Sequence, residues 1–181
     1  MKVISERVSI LEKDNIFSLV ILPTADKKKL LILFLWLLAW TVCGLIVFAN
    51  YFNVNNSEAK VFIIVYLSFW AYFEYKIART YIWKKFGKEK LWIKKGKLLY
   101  QREILARGKV KEFDLELVNN LELIELSPTS FGDNLNQSFW IKGGERLEFQ
   151  CQSKTVRFGM QLSDKEAGDV YKAMKNFLNK D

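Results

Sequence analysis

The hydrophobic pattern of the chain changes period twice. Residues 3–22 alternate loosely, residues 30–83 hold two long apolar runs, and alternation returns from residue 90 until a helical stripe follows it. The longest apolar run, LLILFLWLLAWTVCGLIVFANYF, extends 23 residues from Leu30 to Phe52 without a charge. At about 1.5 Å per residue it crosses a hydrocarbon core about 30 Å thick. It leaves no polar face for water, which argues against a core helix of a soluble domain. It also starts too far in, behind a strand-like segment, to be a secretory signal peptide. A second run, Val61 to Trp83, has 13 uncharged residues before Glu74. The link NVNNSEAK is too short for the first helix to leave the membrane without the chain returning. Residues 30–83 therefore predict a transmembrane helical hairpin with spans 30–52 and 61–83.

Before the hairpin, in segment 1–29, KVISERVSI puts Ile4, Val8 and Ile10 on one face, FSLVILP is a second β-rich run, and EKDN supplies turn residues. This predicts a β-hairpin over Val3 to Leu22. Such a hairpin is marginal alone in water, so it is expected to pack on the C-terminal domain.

From residue 84 to 181 the pattern predicts seven strands: 90–94, 98–105, 110–115, 120–126, 138–142, 146–152 and 155–162. Lys95-Gly96-Lys97, Ala106-Arg107-Gly108, Gly143-Gly144 and Ser153-Lys154 are turn signals, and SPTSFGDNLNQ reads as a mobile loop. Ser163 and Glu166 form a capping-box pattern ahead of Ala167, Val170, Tyr171, Met174, Phe177 and Leu178, which recur with helical spacing. That stripe is core for an amphipathic helix, not a cofactor box. The fold class is α+β with a membrane anchor. Antiparallel strands closed by one helix are the layout of a PH-like β-barrel or sandwich.

Two apolar helices followed by WKKFGKEKLWIKKGKLLYQREILARGKVKEFDL and ERLEFQCQSKTVRFGMQLSDKEAGDVYKAM resemble the bacterial membrane-anchored PH-like proteins of unknown function. The FGKEKLWI entry strand and the TVRFGMQLSDKEA strand-to-helix junction carry most of the likeness, which covers essentially the whole chain. The resemblance implies a fold, with no catalytic residue to carry over.

Charge then sets the orientation. Asp26-Lys27-Lys28-Lys29 precedes the first span and Lys84, Lys85, Lys88 and Lys90 follow the second, whereas the link between them holds one lysine and one glutamate. The positive-inside rule places both termini in the cytoplasm, with the bacterial inner membrane as the expected location. The net charge of +8 is sorted: residues 84–111 hold 11 basic against 2 acidic residues, and residues 112–152 hold 2 against 8. Lys84, Lys85, Lys88, Lys90, Lys94, Lys95 and Lys97 form a candidate surface for anionic lipid headgroups or a protein partner, each worth about 1 kcal/mol near an anionic leaflet. The competing reading is a run that only enforces topology and solvates a face. Nucleic acid fits poorly, because the basic run faces the membrane and the aromatic residues fall at strand-core spacing.

Candidate chemistry is sparse. Histidine is absent, which removes the commonest general base and metal ligand. There is no Walker or GxGxxG motif, and Cys43 and Cys151 lack ligand spacing, so no metal, cofactor or catalytic residue is assigned. Asn55-Asn56-Ser57 matches a glycosylation sequon by letter alone. Glu74 lies about 20 Å along the second span from Val61, level with Trp40 and Thr41 of an antiparallel partner. Thr41 is expected to donate to it, which lowers the cost of an intramembrane acid. Lys76 faces away, Arg79 can snorkel, and Tyr75, Tyr81 and Trp83 suit the interface.

These features predict a non-enzymatic binding or scaffold protein. One alternative is an accessory or assembly subunit whose second helix packs on a neighbour through Trp70, Glu74 and Tyr81. Another is a membrane enzyme acting on lipid through Glu74 with Lys76 or Arg79.

Overall fold

A computed structural model describes residues 2–13, 15–23, 26–124 and 143–179 of the protein. The elements run β1 (Lys2–Val3), β2 (Val8–Lys13), β3 (Ile16–Ile21), α1 (Lys27–Tyr51), α2 (Ser57–Phe86), β4 (Gly87–Lys94), β5 (Lys97–Ile104), β6 (Val110–Asp114), a 3-10 turn (Leu115–Leu117), β7 (Val118–Leu123), β8 (Glu145–Cys151), β9 (Lys154–Met160) and α3 (Asp164–Leu178). They fall into two compact units: a helical one, Asp26–Ile82, and a sheet unit made of the rest. The expected strand 138–142, the end of the expected strand 120–126, and the expected loop 127–137 lie outside the described residues.

Both helices of the first unit are long and apolar enough to cross a membrane. They are also longer than the uncharged runs suggest. Asp26 caps α1 by accepting from the amides of Lys28 (3.0 Å) and Lys29 (3.1 Å), so the lysines form its first turn. Asn56 Oδ1 accepts from the Glu58 amide (2.8 Å), and Glu58 complements the N-terminal dipole of α2. The segment SEAK, expected in the link, is therefore helical. At its other end α2 runs to Phe86, and β4 begins at the next residue.

The two helices meet along one antiparallel stripe. Phe34 packs on Tyr81 (ring centroids 5.6 Å apart), Thr41 meets Glu74, and Gly44 lies under the Trp70 indole. These positions step by 7 and 3 along α1 and by 7 and 4 along α2, the spacings that stay on one helix face. A Cβ on Gly44 would overlap the indole ring, so only glycine admits this approach. Trp70 Nε1 donates to the Trp40 carbonyl at 3.1 Å. Many of the other apolar side chains, among them Leu31, Leu35, Phe62 and Phe69, are exposed around the hairpin, whereas Leu33 is buried.

In the sheet unit, β1 to β6 form a six-stranded antiparallel sheet in sequence order, and β7 to β9 form a three-stranded one. The N-terminal β2–β3 hairpin is continuous with the first sheet, because β3 pairs with β4 in the register Phe17↔Ile93, Leu19↔Leu91 and Ile21↔Glu89. Phe17, Leu19, Leu91, Ile93 and Leu98 from this sheet share one core with Leu147, Phe149 and Phe158 from the other. Helix α3 covers that core with Ala167, Val170, Met174 and Phe177. Both halves of the Ser163–Glu166 capping box are present. Glu166 also accepts from Ser5 Oγ at 2.6 Å, tying the N-terminal segment to α3. Burial opposes ionisation of Glu166, but hydrogen bonds from Ser5 and Ser163, with the charge of Arg7, hold its carboxyl below the ordinary value.

Of the barrel or sandwich expected, a closed barrel does not form among the described residues. No ladder joins the two sheets across the free edge of β9; side chains occupy that seam instead. Glu89 on β4 accepts from the backbone amides of Gly159 (2.8 Å) and Met160 (3.0 Å), and Arg102 on β5 donates to the Arg157 carbonyl (3.1 Å). Gly159, at φ +77°, adopts a conformation that disfavours any other residue, and a Cβ there would press on the Leu147 and Leu162 side chains. Three edge groups of β9 are thus satisfied by side chains, the arrangement of two packed sheets and not of a continuous barrel.

Candidate functional site

Two basic clefts open on the sheet unit, and the seven lysines of the predicted surface divide unevenly between one of them and the solvent. The first cleft, about 420 Å³, lies where the chain leaves α2. The last turn of α2 contributes Lys84, Lys85 and Phe86, and β4 contributes Gly87 and Lys88. Glu6 and Arg7 come from the β1–β2 connection, Leu22 and Pro23 from the end of β3, and Leu105 and Ala106 from the β5–β6 turn. Arg7 is pinned by donating to the carbonyls of Leu22, Gln161 and Met160 at 3.2–3.4 Å, which fixes its charge at the cleft wall. Lys84 is 4% exposed and its Nζ donates to Gln161 Oε1 at 2.8 Å; Lys85 and Lys88 are exposed.

The β5–β6 turn at the mouth of this cleft is strained. Leu105 (φ 50°) and Ala106 (φ 61°) both adopt the left-handed conformation, in a tight hairpin closed by reciprocal hydrogen bonds between Ile104 and Arg107. Asparagine and glycine suit such a turn, and each L-residue with a larger side chain costs about 1–2 kcal/mol there. Leu105 is nevertheless 59% exposed. An apolar side chain is presented outward at an energetic cost, beside four cations.

The other predicted lysines are elsewhere. Lys90 forms an ion pair with Glu103, and Lys97 pairs with Glu112 at 3.4 Å. Lys94 and Lys95 are exposed at the β4–β5 hairpin, about 20 Å from Lys88 by the rise of the strand. The seven residues are therefore two groups at opposite ends of β4, with Lys90 neutralised between them.

In the helical unit, Thr41 Oγ1 donates to Glu74 Oε1 at 2.6 Å and shares its hydroxyl with the Leu37 carbonyl. Glu74 Oε2 and Trp40 Nε1 are buried atoms without a hydrogen bond among the described residues. Lys76 lies over the Tyr72 ring and Arg79 donates to the Tyr75 hydroxyl (3.3 Å), so neither Lys76 nor Arg79 pairs with Glu74. Glutamine at position 74 keeps a carbonyl oxygen for Thr41. Glu74→Gln is accordingly expected to insert normally and to change the thermal stability of the purified protein by less than about 1 kcal/mol. A larger loss would mean that the carboxylate itself is required.

Sequence reasoning passed over a third group, centred on Glu89. This carboxylate is 3% exposed and receives four hydrogen bonds: two from the β9 amides, one from the Tyr100 hydroxyl (2.7 Å) and one from Arg102 Nε (3.0 Å). Arg102 Nη2 continues to Glu145 Oε1 at 2.9 Å. Burial first, and then the charge of Glu89, push the Tyr100 hydroxyl well above its ordinary pKa, so it remains a donor. A signal was present in KEKLWI. Glu89 has the same parity as the buried Leu91 and Ile93, an inward position that a solvated face would not explain.

The second cleft, about 300 Å³, opens above this group and is lined by Tyr100, Arg102, Lys109, Lys111, Glu145, Thr155, Val156 and Arg157. No protein-family model, curated protein or solved structure matches the sequence.

Proposed function

We propose that this is a non-enzymatic, membrane-anchored binding protein whose sheet unit engages anionic lipid headgroups. The observation that carries the reading is the cleft at the end of α2. Arg7, Lys84, Lys85 and Lys88 converge there beside outward-facing Phe86, Leu22 and the strained Leu105. Cations flanked by exposed apolar side chains match a lipid surface, with phosphates for the one and the acyl boundary for the other. A soluble anion gives no reason to expose a leucine in a costly turn. The lysine-rich flanks of both helices support a topology with both termini on the cytoplasmic side of a bacterial inner membrane. Antiparallel sheets closed by a C-terminal helix support placing the unit among PH-like domains.

The test is lipid titration of the full-length protein in nanodiscs, comparing phosphatidylglycerol with phosphatidylcholine. Binding should favour the anionic lipid and fall with salt. Lys85→Ala with Lys88→Ala should cost roughly 2 kcal/mol, about 30-fold in affinity. Lys94→Ala with Lys95→Ala, at the other end of β4, should change little. No lipid preference, or equal losses from the two pairs, would sink the assignment and favour a protein partner.

A further inference from the structure

We propose that the second cleft is a separate binding site for a small polyol phosphate. The register makes it more than a solvated face. Lys111 is paired opposite Tyr100, and Phe113, two residues on, stands opposite Leu98 and packs edge-on against Phe149 at 5.3 Å. Lys111 therefore projects from the same side of its sheet as the core. The two charged residues at inward registers beside it, Glu89 and Arg102, are both tied into hydrogen bonds. Lys111 and the neighbouring Lys109 have no carboxylate or hydrogen-bond partner among the described residues.

The rest of the cleft is held rigid around them. Arg102 is anchored through Nε to Glu89 and Tyr100, and through Nη2 to Glu145 and the Arg157 carbonyl. Its Nη1 makes no hydrogen bond among the described residues. Arg157 is oriented by Glu148 at 2.9 Å. Two ammonium groups and one guanidinium nitrogen on a fixed arginine are donors in need of a compact acceptor with several oxygens, which a phosphate provides. Glu145 uses Oε1 on Arg102 and has no partner for Oε2 among the described residues, so the same cleft offers an acceptor for a ligand hydroxyl. A volume of about 300 Å³ exceeds the phosphate itself and is at the small end of ligand pockets. Phosphate and hydroxyls together define the class, whether the molecule is free in solution or is the glycerophosphate part of a lipid.

Calorimetric titration of the full-length protein in a neutral detergent tests this, with sn-glycerol 3-phosphate, inorganic phosphate and phosphatidylglycerol as separate probes. Saturable binding is expected for glycerol 3-phosphate, with inorganic phosphate weaker because it lacks the group that reaches Glu145. Lys109→Ala with Lys111→Ala should weaken binding about 10-fold or more for each lysine removed. Lys85→Ala with Lys88→Ala should leave it unchanged, which separates this cleft from the one at the end of α2. Binding of phosphatidylglycerol alone, lost in the Lys109/Lys111 variant, would support the site and identify the lipid as its source. If none of the probes saturates, or if the Lys109/Lys111 variant binds as the native protein does, the site does not exist.

Discussion

Glutamine in place of Glu89 is expected to destabilise the sheet unit by about 3–5 kcal/mol, the cost of removing one partner from a buried ionic group. The substitution is isosteric, so packing does not enter. What changes is the sign of the hydrogen bonding. All four partners of Glu89 are donors: the Gly159 and Met160 amides on Oε2, the Tyr100 hydroxyl and Arg102 Nε on Oε1. Only a carboxylate accepts from both sides. Whichever way the amide is turned, its NH2 faces two donors, leaving them unpaired in a site 3% exposed to water. Domains are stable by only about 5–15 kcal/mol, so the loss is a large fraction of the total. Hydrogen exchange gives a local readout: the Gly159 and Met160 amides should lose protection before the β4–β5 ladder does. Protection unchanged at those two amides, with native stability, would show that the seam does not depend on the carboxylate.

The same cluster shows where the sequence is legible and where it is not. Long-period features are readable, because they repeat: the two apolar runs, the alternation of β2 to β5, and the helical stripe from Ala167 to Leu178 each carry their signal many times over. Helix ends are less so, since one capping side chain decides them. Asp26 and Asn56 drew lysines and SEAK into helices that hydropathy alone would stop short. The closure of the sheets depends on still fewer residues, and Glu89 and Arg102 look on the page like two more charges in a basic run. Antiparallel arithmetic was enough to bring Glu74 beside Thr41, because a rise per residue fixes both positions. It could not foresee Gly44 under Trp70, which is set by the shape of one ring. Likewise, counting lysines marks a charged stretch but not its division: the eight residues of β4 carry Lys88 and Lys94 to opposite ends of one strand.

Leucine at position 44 is expected to separate α1 from α2. In a membrane the exposed apolar side chains of the hairpin gain nothing by leaving lipid for each other, so close packing and a few hydrogen bonds must hold the helices together. Gly44 provides the closest approach, and any Cβ there overlaps the Trp70 indole. Displacing the ring also breaks its bond to the Trp40 carbonyl (3.1 Å), and it strains the Thr41–Glu74 contact one turn away. Overpacking costs about 1–3 kcal/mol, and an interhelical hydrogen bond adds about 0.6–1.7 kcal/mol. Thermal unfolding in a fixed detergent would measure the sum for Gly44→Leu. The decisive comparison is with Trp70→Ala, alone and combined. Removing the indole vacates the space that the leucine needs, so the double variant should be more stable than the two single losses added together. Strict additivity would mean that Gly44 and Trp70 act independently, and the hairpin would then have to be held by some other pair of faces.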